Sequence, residues 1–162
     1  MSEEIKEERR KAKNSSIRAL VDDAQSDCKE FFKEDYHYCD KEAITELGLD
    51  SELIDQLVED YVIQIIKSGD YFDSYLETLQ EEQAKSKPLN FTPFRELAHK
   101  NLGVARNLRI KDSEKILTTL MKSHDLQELD ENLKILKSCV IRLKPISAYA
   151  VLELLKIKSK LN

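Results

Sequence analysis

One histidine in this chain stands where chemistry with another molecule is possible. It lies in the stretch Phe94-Arg-Glu-Leu-Ala-His-Lys-Asn-Leu-Gly-Val-Ala-Arg-Asn-Leu108. At about 100° per residue this stretch reads as an amphipathic helix. Phe94, Leu97, Ala98, Val104, Ala105 and Leu108 form one apolar stripe, the expected core face. His99 falls outside the stripe, and Gly103, one turn further on, lies almost opposite it. Arg95 and Arg106 flank the histidine on the same side. A glycine inside a helix costs about 1 kcal/mol relative to alanine. Here it removes the side chain that would cover His99. The expected product is an imidazole that a second protein could approach, bordered by positive charge.

Other chemistry-bearing residues give weaker patterns. Cys28, His37 and Cys39 could be read as zinc ligands, but three ligands without a second cysteine pair make a poor signal. Cys28 reads better as core and His37 as a loop residue. The three cysteines, Cys28, Cys39 and Cys139, are odd in number and without motif spacing, which fits a reducing compartment. His124 sits in a turn beside Asp125, and Tyr36, Tyr38, Tyr71 and Tyr75 read as packing residues. Gly48, Gly69 and Gly103 are too far apart for a phosphate-cradling loop, so a nucleotide-binding kinase or ATPase is not expected.

The elements that must position His99 are helical. With 162 residues the chain can bury one sizeable core. Glycine and proline occur three times each, too rarely for many tight turns, and no strand pattern is present. No apolar run approaches a membrane-spanning length, and Met1 to Lys13 lacks an apolar signal core; the expected location is cytoplasmic. Charge is uneven: Val21 to Ser86 holds 19 Asp/Glu against 5 Lys/Arg, a net −14, whereas Lys87 to the end is +7. The basic half that holds His99 suits an acidic protein partner. With the whole chain at −5, nucleic acid is not expected.

The apolar spacing predicts these elements in order. Ile17, Leu20, Val21, Ala24, Cys28 and Phe31 share one face, with Ser15 or Ser16 as a cap and a frayed helix or tail before it. Asp40 caps a short helix ended by Gly48. Asp50 caps a long one whose stripe runs from Leu53 to Leu79, as one helix or as two with a weak point at Gly69. Thr92 caps the His99 helix, with Pro93 at its first position. Helices follow at about 112–122 and 126–143, and a last one begins at Pro145, with Ile146, Tyr149, Ala150, Leu152 and Leu155 as apolar positions. Short connections predict an antiparallel up-and-down four-helix bundle of residues about 50–84, 92–108, 111–123 and 126–143, with extra helices at both ends. The chain divides into an N-terminal extension (1–39), a bundle (40–145) and a C-terminal helix packed on it (146–162).

The stretch Ala98-His99-Lys100-Asn101-Leu102-Gly103-Val104-Ala105-Arg106-Asn107-Leu108-Arg109-Ile110 resembles the motif of the histidine phosphotransfer (HPt) domain of multistep phosphorelays, which is close to A-H-x-L-K-G-S-A-x-N-L-G. Residues 40–143 match that family in element order and length. The resemblance implies that His99 takes the phosphoryl group from a receiver-domain aspartate and passes it to another, and that Gly103 keeps the approach open. Arg95, Lys100 and Arg106 would supply positive charge. The implied partners are a response-regulator receiver or a hybrid histidine kinase, and the Mg²⁺ would be the receiver's, with no cofactor on this chain. The sequence departs from the family at Leu102, where a lysine is usual, and at Arg109, where glycine is frequent. An HPt-fold adaptor or inhibitor that binds a receiver or kinase without transfer is the alternative. Oligomeric state is left open by the sequence.

Overall fold

The charge-rich beginning of the chain contains no helix breaker, and it folds accordingly. The computed structural model describes residues 2–27 and 37–161. Within them α1 runs unbroken over Glu3–Asp27, through the serines expected to cap it. Ser2 takes the capping role, its Oγ accepting from the Ile5 N–H at 3.3 Å. Ser16 instead donates to the Ala12 carbonyl. Pairs of Glu3 with Lys6 and Glu7 with Arg10 at i,i+3 support the exposed half. Cys28, Phe31 and Tyr36, to which packing was assigned, lie outside the described residues, as does one of the three candidate zinc ligands.

The remaining helices are α2 (Lys41–Leu47), α3 (Ser51–Ala84), α4 (Thr92–Asn107), α5 (Lys111–Lys122), α6 (Leu126–Leu143) and α7 (Pro145–Leu161), and no strand occurs among the described residues. Gly48 ends α2 with φ +66°, its N–H bonded to Ile44 O. Asp40 precedes α2 without capping it, because its carboxylate accepts from Ser51 Oγ at 2.7 Å. Asp50 caps α3 through the Leu53 N–H, as its sequence position predicts. α3 continues through Gly69 as one helix of 34 residues, about 51 Å long. Its stripe keeps phase there, so core contacts on both sides hold the glycine in register. Asp125 caps α6 through the Gln127 and Glu128 N–H groups.

α3 packs against α4 and α6, and α5 against the same two. α1 lies on α6 and α7, and α7 also covers α3 and α6. One buried cluster joins them, from Ala24 of α1 to Ala148 and Val151 of α7. Phe72 of α3 and Phe94 of α4 meet edge to face at 5.2 Å near its middle. No helix among the described residues is long and apolar enough to cross a membrane.

Candidate functional site

The site is built on α4. The helix begins one residue earlier than its proline implies: Phe91 is the N-cap, Thr92 is already helical, and the Thr92 N–H is taken by Asn90 Oδ1 at 3.2 Å. Its inner face comprises Phe94, Ala98, Asn101, Leu102 and Ala105. That differs from the expected stripe. Val104 is 40% exposed, while Asn101 and Leu102 are buried. α4 is covered by α3 on one side and α5 on the other, which moves the buried arc toward Leu102 and leaves Val104 at its edge. Asn101 is half satisfied: its Nδ2 donates to Leu97 O at 3.0 Å, and its Oδ1 has no partner among the described residues.

His99 is exposed, as are Lys100, Gly103 and Arg106. A Cβ built on Gly103 would meet nothing within 4 Å. Gly103 therefore does not serve close helix packing, and the space above it is open. By helix geometry Arg95, His99, Gly103 and Arg106 follow one another along a single strip, whereas Lys100 sits on the far side of Gly103.

The two arginines have other partners. Arg95 Nη2 lies 2.9 Å from His124 Nε2. A guanidinium has no acceptor, so in this contact it donates and the imidazole nitrogen accepts. The same guanidinium lies 4.8 Å over the Phe91 ring, which meets His124 edge to face at 5.4 Å. Arg95 is thereby drawn to the turn before α6. Arg106 Nε stands 3.5 Å from Glu114 Oε1 on α5, an exposed pair that salt would screen. Lys100 makes no ion pair or hydrogen bond among the described residues.

Two features on this side went unread in the sequence. Glu96 is exposed one turn before His99, a spacing at which a carboxylate can accept from an imidazole N–H and fix the tautomer. Beside Val104 an apolar groove of about 450 Å³ opens between α2, α3 and α4, lined by Leu47, Leu49, Leu57, Val104 and Leu108. Its walls come from three helices, so no single periodicity reports it.

The helix ends in a Schellman turn. The Ile110 N–H bonds to Ala105 O and the Arg109 N–H to Arg106 O. Arg109 takes the left-handed position, φ +58°, where glycine is usual. Its guanidinium pairs with Glu46 of α2, and Ile110 is fully buried. Arginine thus occupies a glycine conformation and ties α2 to the α4–α5 corner.

Away from α4, Tyr61 and Ser113 bury their hydroxyls beside each other. Burial raises the Tyr61 phenol well above its ordinary value, opposed by Ser113. Asp112, in the first turn of α5, has its carboxyl pushed up by burial, against the hydrogen bonds of the Ser113 N–H and Cys139 and the charge of Arg142. No group of three or more His, Cys, Asp or Glu among the described residues could hold a metal ion. Comparison with protein-family models, curated proteins and solved structures yields no match.

Proposed function

We propose that this chain is a histidine phosphotransfer protein whose α3–α6 form an HPt-like antiparallel four-helix bundle. The ring of contacts, α3 to α4 to α5 to α6 and back to α3, supports that architecture. The observation that carries the function is the open imidazole. His99 is exposed on a rigid helix, and the position one turn on offers no side chain and no neighbour.

In this reading a ring nitrogen of His99 attacks the phosphorus of a receiver's aspartyl phosphate. The P–N bond forms as the acyl P–O bond breaks, and the aspartate leaves as a carboxylate. The ring then loses its remaining N–H proton to water, and the reverse sequence loads a second receiver. Charge on the phosphoryl oxygens makes positioning and electrostatics the main contributions. The receiver brings its own Mg²⁺. This chain contributes the nucleophile, the access at Gly103 and the Lys100 ammonium, and the same helix borders an apolar groove at Val104.

A second reading, an adaptor or inhibitor that binds a receiver or kinase without transfer, has its own support. Leu102, at the family's lysine position, is fully buried. Arg95 and Arg106 are engaged by His124 and Glu114. Of the cations expected to border His99, Lys100 is then the one without a partner among the described residues.

Phosphorus NMR separates the two. The protein is incubated with phosphoramidate, then with a phosphorylated receiver and Mg²⁺, with His99→Gln as the control. An acid-labile phosphohistidine signal in the wild type and not in the variant is expected. Labelling that persists in His99→Gln overturns the site. Receiver binding that survives His99→Ala, with no phosphate on the wild type, selects the adaptor.

A further inference from the structure

A helix docked on one side needs one apolar face, and α7 has two. Ala148 and Val151 are buried, and Leu152 and Leu155 pack partly against the core. On the opposite side Ile146 (67%), Leu154 (49%), Ile157 (55%) and Leu161 (81%) are exposed. With Ala150 they recur at spacings of three and four residues, a continuous outward stripe. Of nine large exposed hydrophobics among the described residues, four belong to this helix. Scattered ones are ordinary, but a stripe marks a contact surface.

We propose that this outward face pairs in parallel with the same face of a second copy of the chain. The charges bordering the stripe choose that occupant. Glu153 lies on one edge and Lys158 on the other. When two such helices lie parallel and in register, an edge residue faces the residue five positions on in its neighbour. Glu153 then meets Lys158 of the partner subunit, and the two-fold axis repeats the pair. In the same register Ala150, Leu154, Ile157 and Leu161 each meet their own counterpart, and Ile146 lies at the edge of the seam. An anionic lipid surface would attract Lys156, Lys158 and Lys160 but would meet the Glu153 carboxylate at the rim of the buried stripe. Glu153 bonds Lys156 at 3.2 Å within the helix, an exposed pair weak enough to exchange.

One helix face is smaller than a standard protein interface, so the dimer is concentration-dependent. α7 packs on α1, α3 and α6, whereas α4 packs on α3 and α5. Pairing through α7 therefore leaves both His99 faces open, and the proposal stands apart from the phosphotransfer reading.

The test is sedimentation equilibrium of the full chain over a concentration series. Wild type is expected to rise to twice the monomer mass. L154K/I157K, altered only at exposed positions, should keep its helical circular dichroism and stay at monomer mass. E153K should raise the dissociation constant about tenfold, and E153K/K158E should recover most of that loss. Wild type that stays monomeric, a dimer that persists in L154K/I157K, or a charge exchange that recovers nothing each overturns the proposal. So does flotation with phosphatidylserine-containing vesicles that L154K/I157K abolishes, which would assign the face to lipid.

Discussion

The HPt motif invites a repair, Leu102→Lys, and the structure says that the repair will damage the protein. Leu102 is fully buried between α4 and its neighbours. Removing a buried leucine side chain forfeits about 1.5–3 kcal/mol of apolar transfer energy. A lysine held inside at pH 7 must shed its proton, about 3.4 units below its reference value, at about 4.6 kcal/mol. Where the ammonium escapes along its own stem, that second cost falls but the packing loss remains. A net destabilisation of about 2–8 kcal/mol is expected, the low end with the ammonium escaped and the high end with it held inside, against about 5–15 kcal/mol for a whole domain. The sign with pH is definite. The introduced lysine has a folded pKa below its unfolded one, so between those values the unfolded chain binds more protons. Stability then rises with pH, by up to about 1.4 kcal/mol per unit, and the deficit shrinks toward pH 10. Urea titrations at pH 7 and pH 9, with Leu102→Met as the volume-conserving control (a loss below about 1.5 kcal/mol), measure it. A Leu102→Lys protein within about 1 kcal/mol of wild type, with no added pH dependence, would refute the placement of Leu102. Faster phosphotransfer in that variant would refute the argument that this position cannot serve His99.

Gly103→Ala should stabilise the chain by about 1 kcal/mol in chemical denaturation, since the methyl meets nothing and the helix gains propensity. Gly103→Leu should leave phosphoramidate labelling of His99 intact and slow transfer from a receiver, which rapid-quench kinetics would separate. Arg109→Gly removes a left-handed arginine and also the Glu46 pair; in high salt, where the pair is screened, its melting temperature should equal or exceed that of wild type, and a lower one would refute the backbone strain assigned to Arg109. Asp112→Asn should be more stable than wild type at neutral pH. The wild-type carboxyl titrates above its unfolded value, so its folded state loses stability as pH rises through that range, and the advantage of the variant should vanish on acidification below the usual carboxylate pKa.

Local signals carried much of the fold. Asp50 and Gly48 marked the start of α3 and the end of α2, and the bounds expected for α3 to α6 agree with the structure to within a residue or so. Those signals act through the backbone groups of a single turn, which is why they can be read in isolation. The exposure of His99 and Gly103 was legible for the same reason, since both lie opposite the apolar stripe of one helix. The length of α1 was not, because a charge-rich helix offers no stripe to count; its exposed half rests on i,i+3 pairs and the Ser2 cap.

What the tertiary structure alone decided concerns surfaces shared by several helices. Periodicity gives a buried direction but not the width of the arc that neighbours cover. α3 and α5 together took in Leu102 and Asn101 and left Val104 at the edge of a groove. Residue type marked Arg95 and Arg106 as charge for the histidine, whereas packing brought His124 and Glu114 within reach of them. The last helix reads as apolar in the sequence, and only docking showed which half of it the core uses. The helices and the exposure of His99 are therefore legible in the sequence, because these depend on contacts within a turn. The charge around that imidazole and the free face of α7 depend on residues far apart in the chain, which meet only when the helices pack.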